Sequence, residues 1–361
     1  MFRQPDLYST LKRIARHGAK GFYEGKTAEL IVQAMKKNNG LITLADLRDY
    51  RAIERSPVRG FFHDYEIISM GPPSSGGICL IQALNILKNY DLKSFGWNSS
   101  QYLHFLAEAL KNVYAVRAHY LGDADFVNVP IDTLISDKFA QKMSENIHFD
   151  RAVPATELSV ANPFQFEGNH TTHYNIVDKN GMAVAVTYTI NSGYGSKAAV
   201  DGAGFLLNNE MDDFAIKSGN ANIYKIVSFS PNLIEPGKRM LSSMSPTIIR
   251  KNGKFFMAVG AMGGPKIITS TLQTILNVIV FDMSLQEAIN APRIHHQWLP
   301  DKIYVEKMFF SLDVLDKLRA KGHTIETMGY HSEVTAILFD KETGELIGAP
   351  DFRWNGKASG F

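Results

Sequence analysis

Alternating apolar and polar residues mark two neighbouring strands near the middle of the chain. Apolar side chains alternate through residues 171–178 and again through 182–189, and the turn-forming sequence DKNG occupies residues 178–181. This combination predicts a β-hairpin. Hydroxyl groups crowd its open end, where Thr171 begins the first strand and Thr189 ends the second.

The turn type decides which of these hydroxyls face each other. A two-residue Asn-Gly turn sets Thr172 opposite Thr189, whereas a three-residue loop with Gly181 as a left-handed bulge sets Thr171 opposite Thr189. We predict the bulged register, because it collects the large apolar side chains on one face. The predicted apolar face holds Tyr174, Ile176, Val184, Val186 and Tyr188, and the other face holds Thr171, His173, Thr187 and Thr189.

Periodicity elsewhere predicts helices before the hairpin and a mixture of strands and helices after it. The predicted helices are two within residues 5–40 and one each in 43–50, 78–88, 99–120, 136–147, 266–280, 284–289 and 312–320. The predicted strands are 58–62, 65–70, 205–207, 247–250, 254–259, 303–305, 334–339 and 346–347. Residues 148–170 are polar and have no clear period, so we expect a loop or linker that leads into Thr171.

Composition excludes several classes of protein. The 361 residues are 45% hydrophobic and 20% charged, which is ordinary for a soluble globular protein. Lysine and arginine number 38 against 36 acidic residues, so the charge gives no sign of nucleic acid or an anionic membrane as partner. No apolar run approaches the roughly 18 residues of a membrane span, and the first residues lack the apolar stretch of a signal peptide.

No metal or cofactor site is predicted. Cys79 is the only cysteine, which excludes an internal disulfide and any metal site built from several cysteines. The histidine pairs 170/173 and 295/296 lack a third ligand at helical spacing, so packed or solvent-facing histidines are the better interpretation. The chain also has no P-loop, dinucleotide fingerprint or G-x-S-x-G motif.

Thr171 has the setting of an N-terminal nucleophile. A threonine hydroxyl needs a neighbouring base, and self-cleavage before the threonine supplies one, because the freed α-amino group has a pKa near ~8. Thr171 begins a strand, follows a linker, and faces Thr189 in the predicted register. The residues alone leave a simpler alternative open, in which Thr171 and Thr172 are ordinary β-branched strand residues.

Longer motifs carry a resemblance to a known family. The segments are PPSSGG, TTHYNIVDKNGMAVAVTYTIN, LLNNEMDDF, KRMLSSMSPTI and GAMGGPKIIT. In this order and spacing they closely resemble the gamma-glutamyltranspeptidases, N-terminal nucleophile hydrolases that split themselves into two subunits. The resemblance implies an α+β fold, a four-layer αββα sandwich. Residues 1–170 would be the C-terminal part of the large subunit and 171–361 the small subunit, together forming one compact unit.

The resemblance also implies the roles of individual residues. Cleavage after His170 would make Thr171 the nucleophile, with Thr189 as its hydrogen-bonding partner. The remaining implied roles are binding of the substrate α-amino group by Asn191, Glu210 and Asp213, binding of its α-carboxylate by Ser242 and Ser243, an oxyanion hole at Gly263 and Gly264, and a site wall at residues 72–77.

Three departures from the family pattern limit this transfer. The chain lacks the early large subunit, and it has no arginine in the RExAP-like context of the family's main α-carboxylate ligand. The usual GSPGGSRIIT reads GAMGGPKIIT here, so Pro265 removes a backbone donor beside the oxyanion hole. The lid-like residues 227–230 read VSFS, and Met240 replaces a proline. We expect these changes to affect acceptor choice or lid mobility.

The predicted function is cleavage of the γ-glutamyl amide bond of glutathione and related compounds through a γ-glutamyl-threonine intermediate. The acyl group would pass to water or to an acceptor amino acid or peptide. Two alternatives are a truncated, inactive remnant that folds or binds a partner, and a cephalosporin-type acylase. Asp213, Ser242 and Ser243 argue against the acylase, because a substrate without an amino-acid head leaves them idle. The resemblance further implies a large/small subunit heterodimer and a periplasmic or secreted location.

Overall fold

A computed structural model describes residues 2–158, 171–330 and 332–360. The helices are α1 (Pro5–His17), α2 (Lys20–Tyr23), α3 (Gly25–Lys37), α4 (Leu44–Asp49), α5 (Gly76–Leu87), α6 (Leu92–Phe95), α7 (Ser100–Tyr120), α8 (Ile131–Leu134), α9 (Asp137–Ser144), α10 (Lys266–Ile279), α11 (Leu285–Asn290) and α12 (Leu312–Ala320). His170 and most of the predicted linker lie outside the described residues.

The strands include every predicted one except residues 205–207. They are β1 (Val58–Phe62), β2 (Tyr65–Ser69), β3 (Thr172–Val177), β4 (Ala183–Tyr188), β5 (Thr247–Lys251), β6 (Lys254–Met262), β7 (Ile294–His295), β8 (Ile303–Glu306), β9 (Ile325–Met328), β10 (Glu333–Phe339) and β11 (Leu346–Ala349). Among the described residues, no helix is long and apolar enough to cross a bilayer.

Internal contacts divide the chain into two compact units. The smaller unit comprises the residues up to Arg55 together with 190–210, and the larger unit comprises 56–189 and 211 onward. The predicted boundary at Thr171 concerns the mature subunits rather than these units, and it stays a prediction.

The smaller unit packs its N-terminal helices against the segment 190–210. The Thr10 hydroxyl on α1 donates to the Ala203 carbonyl at 2.8 Å, and Ala28, Ile31, Val200 and Ala203 share one apolar cluster. The prediction of a strand at 205–207 is wrong. Leu206 forms only an isolated bridge with Ala199, because the chain reverses tightly between them through Gly202 and Gly204, both at positive φ.

Six strands of the larger unit form one antiparallel sheet in the order β1-β2-β5-β6-β10-β11. Helices α5 and α10 pack against it, with α7 beside α5. Every residue of α5 is buried, which explains why its sequence is apolar all round. The predicted helix α5, which precedes the hairpin in the chain, therefore helps to cover the sheet. Strands β7, β8 and β9 form a separate small sheet.

The hairpin adopts the predicted bulged register. His173 pairs with Thr187 and Val177 with Ala183. The Asp178 N–H donates to the Met182 carbonyl at 3.0 Å, and Gly181 has φ 82°, as the three-residue loop requires. The same register, continued one pair outward, sets Thr171 beside Thr189, so the register prediction is confirmed.

The polar face of the hairpin, not its apolar face, packs on the large sheet. Strands β3 and β4 lie over β6 and β10, and the Asn175 amide donates to the Thr335 carbonyl at 2.9 Å. His173 is only 8% exposed, whereas Ile176 and Tyr188 on the apolar face are 57% and 58% exposed. The buried face of the hairpin is thus the one that makes hydrogen bonds to distant parts of the chain.

His173 is the side chain that fits the hairpin to the sheet. Asn175 Oδ1 accepts a bond from His173 Nε2 at 3.1 Å, which leaves His173 Nδ1 to accept from the Thr187 hydroxyl at 2.8 Å. Burial lowers the pKa of His173 to about 4, so the imidazole is neutral near pH 7. A Cβ on Gly260 of β6 would lie 2.3 Å from this ring, so the ring needs the absence of a side chain there.

The packing of the hairpin on the large sheet also fixes the direction of β3 relative to β6. The hairpin turn lines a surface cavity together with Lys254 and Phe255, at the start of β6. His173, near the other end of β3, lies against Gly260, near the end of β6. The two strands therefore run in opposite directions, and Thr171 lies at the end of β6 from which Gly263 and Gly264 continue.

We expect Gly260→Ala to lower the free energy of unfolding by about 1–3 kcal/mol, because the added Cβ overlaps the His173 ring and the hairpin must shift. Urea denaturation measures the change. Gly329→Ala is the matched control, since a Cβ there meets no atom within 4 Å. Equal stability changes in the two variants would contradict the proposed close fit.

Candidate functional site

Thr171 and Thr189 lie at the open end of the hairpin. Thr171 directly precedes β3 and Thr189 directly follows β4, and both are half-buried. The structure thus brings together the two threonines that the sequence analysis paired, and their catalytic roles stay predictions.

Gly263 and Gly264 form the turn between β6 and α10. Their φ angles are 131° and 58°, values that residues with a Cβ rarely adopt. The Gly263 and Gly264 carbonyls accept bonds from the N–H groups of Lys266 at 3.2 Å and Ile267 at 3.1 Å, which begin α10. The N-terminus of a helix favours negative charge, so this turn suits an oxyanion. Strand β6 reaches Met262, three residues beyond the predicted end.

Ser242 and Ser243 are held by the loop that carries the motif PPSSGG. The Ser242 N–H donates to the Pro73 carbonyl at 2.9 Å, and the Ser75 N–H donates to the Ser242 carbonyl at 2.9 Å. A Cβ on Gly76 would lie 2.2 Å from the Met244 carbonyl oxygen. The glycine is therefore required for this close approach, and the loop adjoins the serine pair as expected.

Arg117 is a buried neighbour of the serine pair that the sequence analysis missed. It lies on α7 and is only 2% exposed. Its Nε donates to Ser75 Oγ at 2.9 Å, and its Nη2 donates to Ser243 Oγ at 3.3 Å and to the Leu241 carbonyl at 3.5 Å. Since Ser243 Oγ accepts from the guanidinium, its own hydrogen is directed elsewhere. Arg117 therefore prepares Ser243 to donate a hydrogen bond.

Burial lowers the pKa of the Arg117 guanidinium, and the neighbouring Cys79, Tyr114 and Asp213, in decreasing order of effect, oppose this shift. Nη1 is buried and has no hydrogen-bond partner among the described residues. The only sequence signal for this arginine is a charge within an otherwise apolar stretch of α7.

Asn232 connects Asp213 to the serine loop. It is 1% exposed. Its Nδ2 donates to the Asp213 carbonyl at 2.7 Å, and its Oδ1 accepts from the Leu241 N–H at 3.0 Å. Asp213 Oδ1 also accepts from Asn222 Nδ2 at 3.0 Å. The structure thus brings Asp213 together with the segment that carries Ser242, and no local pattern could have identified Asn232.

Asn191 and Glu210 belong to the smaller unit, where they are linked through Asn209. Asn191 is 4% exposed, and its Nδ2 donates to the Asn209 carbonyl at 3.1 Å. Burial raises the pKa of the neighbouring Glu210 to about 7, and its Oε1 has no hydrogen-bond partner in the described part of the chain. A buried carboxylate of this kind is suited to receive an ammonium group.

One buried cluster has ligand types that metals use, although it is organised as a hydrogen-bonded network. His104, Glu108 and His323 place one potential ligand atom each within 4.8 Å of one another. Lys111 Nζ donates to Glu108 Oε1 at 2.7 Å, which puts a cation beside this carboxylate already. His323 Nε2 and His104 Nδ1 are 2.7 Å apart and share one hydrogen. The lysine disfavours a second cation here.

We expect Arg117→Met to lower the free energy of unfolding by about 2–4 kcal/mol, because Ser75 Oγ, Ser243 Oγ and the Leu241 carbonyl lose a charged donor. Arg319→Met is the matched control on α12, where Arg319 forms an exposed pair with Asp316 and the expected change is below about 1 kcal/mol. Chemical denaturation compares them, and a similar small change in both variants would contradict the buried role.

Comparison with known proteins finds, along the whole chain, the family that the sequence motifs resemble. The gamma-glutamyltranspeptidase family profile matches residues 1–361. The glutathione hydrolase proenzyme of Escherichia coli (strain K12) is 46% identical over 350 residues, which are 97% of this chain and 60% of that protein. The chain therefore spans about 60% of the length of this relative.

Two solved structures extend the comparison to the fold. The cephalosporin acylase from Bacillus halodurans covers 99% of this chain and 63% of its own, with a TM-score of 0.83 and 24% identity. The gamma-glutamyltranspeptidase from Pseudomonas nitroreducens covers 53% of this chain and 99% of its own, with a TM-score of 0.51 and 44% identity. The predicted α+β fold of the N-terminal nucleophile hydrolase type is confirmed, and this chain belongs to the gamma-glutamyltranspeptidase family.

Proposed function

We propose that this chain carries the catalytic part of a glutathione hydrolase, which cleaves γ-glutamyl amide bonds through a γ-glutamyl-Thr171 intermediate. The observation that carries the proposal is the hairpin register. It sets Thr171 beside Thr189, and the stacking on β6 puts both at the strand end that continues into Gly263 and Gly264. A nucleophile and a turn suited to an oxyanion therefore lie at the same end of the two sheets.

The proposed reaction begins with cleavage of the chain between His170 and Thr171. The new α-amino group takes the proton of the Thr171 hydroxyl, and the oxygen attacks the γ-carbonyl carbon of the substrate. The backbone at Gly263 and Gly264 stabilises the negative oxygen of the intermediate. The C–N bond then breaks, and the amine leaves with the proton. Water or an acceptor amine attacks the resulting ester and releases Thr171.

Binding of the amino-acid head of the substrate distinguishes a glutathione hydrolase from an acylase. An amino-acid head carries an ammonium group and a carboxylate. Within the larger unit, Asp213 would meet the first, and Ser242 and Ser243 would meet the second. Binding of the ammonium group by Asn191 and Glu210 stays a prediction from the family resemblance. Arg117 stands behind Ser243 and supplies positive charge on the carboxylate side. A cephalosporin-type amide without such a head has no use for this arrangement.

The proposed mature protein is a heterodimer of chains separated at Thr171. The match of the Pseudomonas nitroreducens chain to 53% of this chain supports this proposal. The inactive remnant remains the second candidate, because the given sequence has no arginine in the RExAP-like context of the family's main α-carboxylate ligand. The two candidates differ in whether the purified chain cleaves itself.

Thr171→Ala should abolish both self-cleavage and hydrolysis of a γ-glutamyl anilide, because the variant has lost the hydroxyl that attacks in both reactions. Thr172→Ala is the matched control, since Thr172 is the adjacent, exposed residue of β3 and should remain competent. Denaturing electrophoresis and mass spectrometry of the N-termini measure cleavage, and release of the anilide dye measures turnover.

The outcomes separate the candidates. Two fragments with a new N-terminus at Thr171, together with turnover, support the glutathione hydrolase. A single band of full mass without turnover in the unaltered chain supports the inactive remnant. Undiminished cleavage in Thr171→Ala would show that another residue is the nucleophile of self-cleavage.

Substrate binding should strengthen as the pH rises through about 7, because the pKa of Glu210 is raised to about 7 and only the ionised carboxylate attracts an ammonium group. Between pH 6 and 8 the ionised fraction grows about tenfold, so the dissociation constant of L-glutamate should fall by about that factor. In Glu210→Gln this pH dependence should disappear and binding should be weak throughout. Calorimetric titrations at several pH values measure it, and an unchanged profile in the variant would count against the role of Glu210.

A further inference from the structure

Tyr114 connects helix α7 to the turn between β6 and α10. Its side chain is 2% exposed, and its hydroxyl donates to the Pro265 carbonyl at 2.5 Å. Pro265 directly follows Gly264 in the chain and precedes the first residue of α10. The hydrogen bond therefore reaches the main chain one residue from the turn that is proposed as the oxyanion hole.

The Tyr114 hydroxyl is a permanent donor in a fixed place. Burial raises the pKa of Tyr114 well above its ordinary value, so the hydroxyl keeps its proton near neutral pH. The ring packs edge-on against the His295 imidazole, with the ring centroids 5.8 Å apart and an angle of 88° between the ring planes. The Pro265 carbonyl can accept this bond in addition to a main-chain bond, because its oxygen has two lone pairs.

The glycine turn needs such a restraint from outside. Gly263 and Gly264 have φ angles of 131° and 58°, and glycine has more backbone freedom than any other residue. Pro265 has no N–H, so it cannot donate a hydrogen bond that would fix the turn. The Tyr224 ring limits the movement of Gly264, since a Cβ on this glycine would come within 3.0 Å of the ring. Tyr114 restrains the next residue through its carbonyl.

Helix α7 supports the serine pair from the same face. Arg117 follows Tyr114 by three residues, so the two side chains leave the same side of the helix. Arg117 bonds to Ser75 and Ser243, whereas Tyr114 bonds to the residue after the glycine turn. In the proposed mature protein, α7 belongs to the chain before the cleavage site and the turn belongs to the chain after it. The tyrosine contact therefore joins the two proposed chains.

We propose that Tyr114 is a positioning residue, which holds the Gly263–Gly264 turn in the geometry that receives the oxyanion. The inference rests on the proposed function and adds a residue of the first chain to the site of the second. Stabilisation of an oxyanion depends on groups that are held in place before the reaction, and small displacements around a reacting centre slow the reaction. A change at position 114 should therefore affect turnover without touching the groups proposed to bind the amino-acid head.

The test compares Tyr114→Phe with Tyr102→Phe as its matched control. Phenylalanine keeps the buried ring and removes only the hydroxyl. Tyr102 also lies on α7 and is 1% exposed, but its hydroxyl has no hydrogen-bond partner among the described residues. Its ring packs on Phe281. The two variants therefore differ in whether a hydrogen bond is lost.

With a γ-glutamyl anilide as substrate, we expect kcat to fall about tenfold in Tyr114→Phe. Formation and hydrolysis of the γ-glutamyl ester both pass through an oxyanion, so both steps should slow together and KM should change less than about twofold. In Tyr102→Phe both values should stay within about twofold of the unaltered chain. A role in stability alone would lower the midpoint of urea unfolding and leave kcat unchanged. Turnover is expressed per cleaved chain, so that incomplete self-cleavage is not counted as a slower reaction.

Amide hydrogen exchange keeps this inference separate from the proposed function, because it needs no turnover. The first two N–H groups of α10 donate to the carbonyls of the glycine turn, and their exchange should quicken about fivefold in Tyr114→Phe but not in Tyr102→Phe. This result in a chain that neither cleaves itself nor hydrolyses the anilide would support the restraint and reject the glutathione hydrolase. Turnover with the same kcat in both variants would support the hydrolase and overturn the inference. Equal exchange in the two variants would also overturn it.

Discussion

The contact between the His173 imidazole and Gly260 is the constraint on which the geometry of the site depends. The buried ring has a hydrogen-bond partner for each nitrogen, so burial leaves no unsatisfied polar atom there. The ring can occupy this place only because β6 has no side chain at position 260. Its position fixes how far the hairpin is shifted along the sheet. The positions of Thr171, at one end of β3, and of the glycine turn after β6 follow from that shift.

Local signals predicted much of the fold. The hairpin register was predictable because a short turn sequence and the alternation beside it determine the pairing within about twenty residues of chain. Helix α12 was predicted at its observed limits for the same reason, since its periodicity is complete. The short elements α2, α6, α8, β7 and β9 were missed, because two to four residues hold too little of a period to be recognised.

Interactions between distant parts of the chain account for what the sequence did not show. Large apolar side chains on one hairpin face are normally a sign of the buried face. Here the opposite face is buried, and its Asn175 bonds to the main chain of β10, 160 residues further along. Arg117 and Ser243 are 126 residues apart in the chain. The motifs identified Ser242 and Ser243, but the arginine that orients Ser243 has no motif of its own.

Asn232 links the effects of changes on the two sides of the proposed amino-acid pocket. One buried amide bonds both to Asp213 and to the segment that carries Ser242, so the two halves of the proposed amino-acid pocket share a support. A substitution that reshapes one half also disturbs the other, and the effects of changes on the two sides should be coupled. A variant of this chain made for substrates without an amino-acid head would therefore have to change both halves of the pocket together.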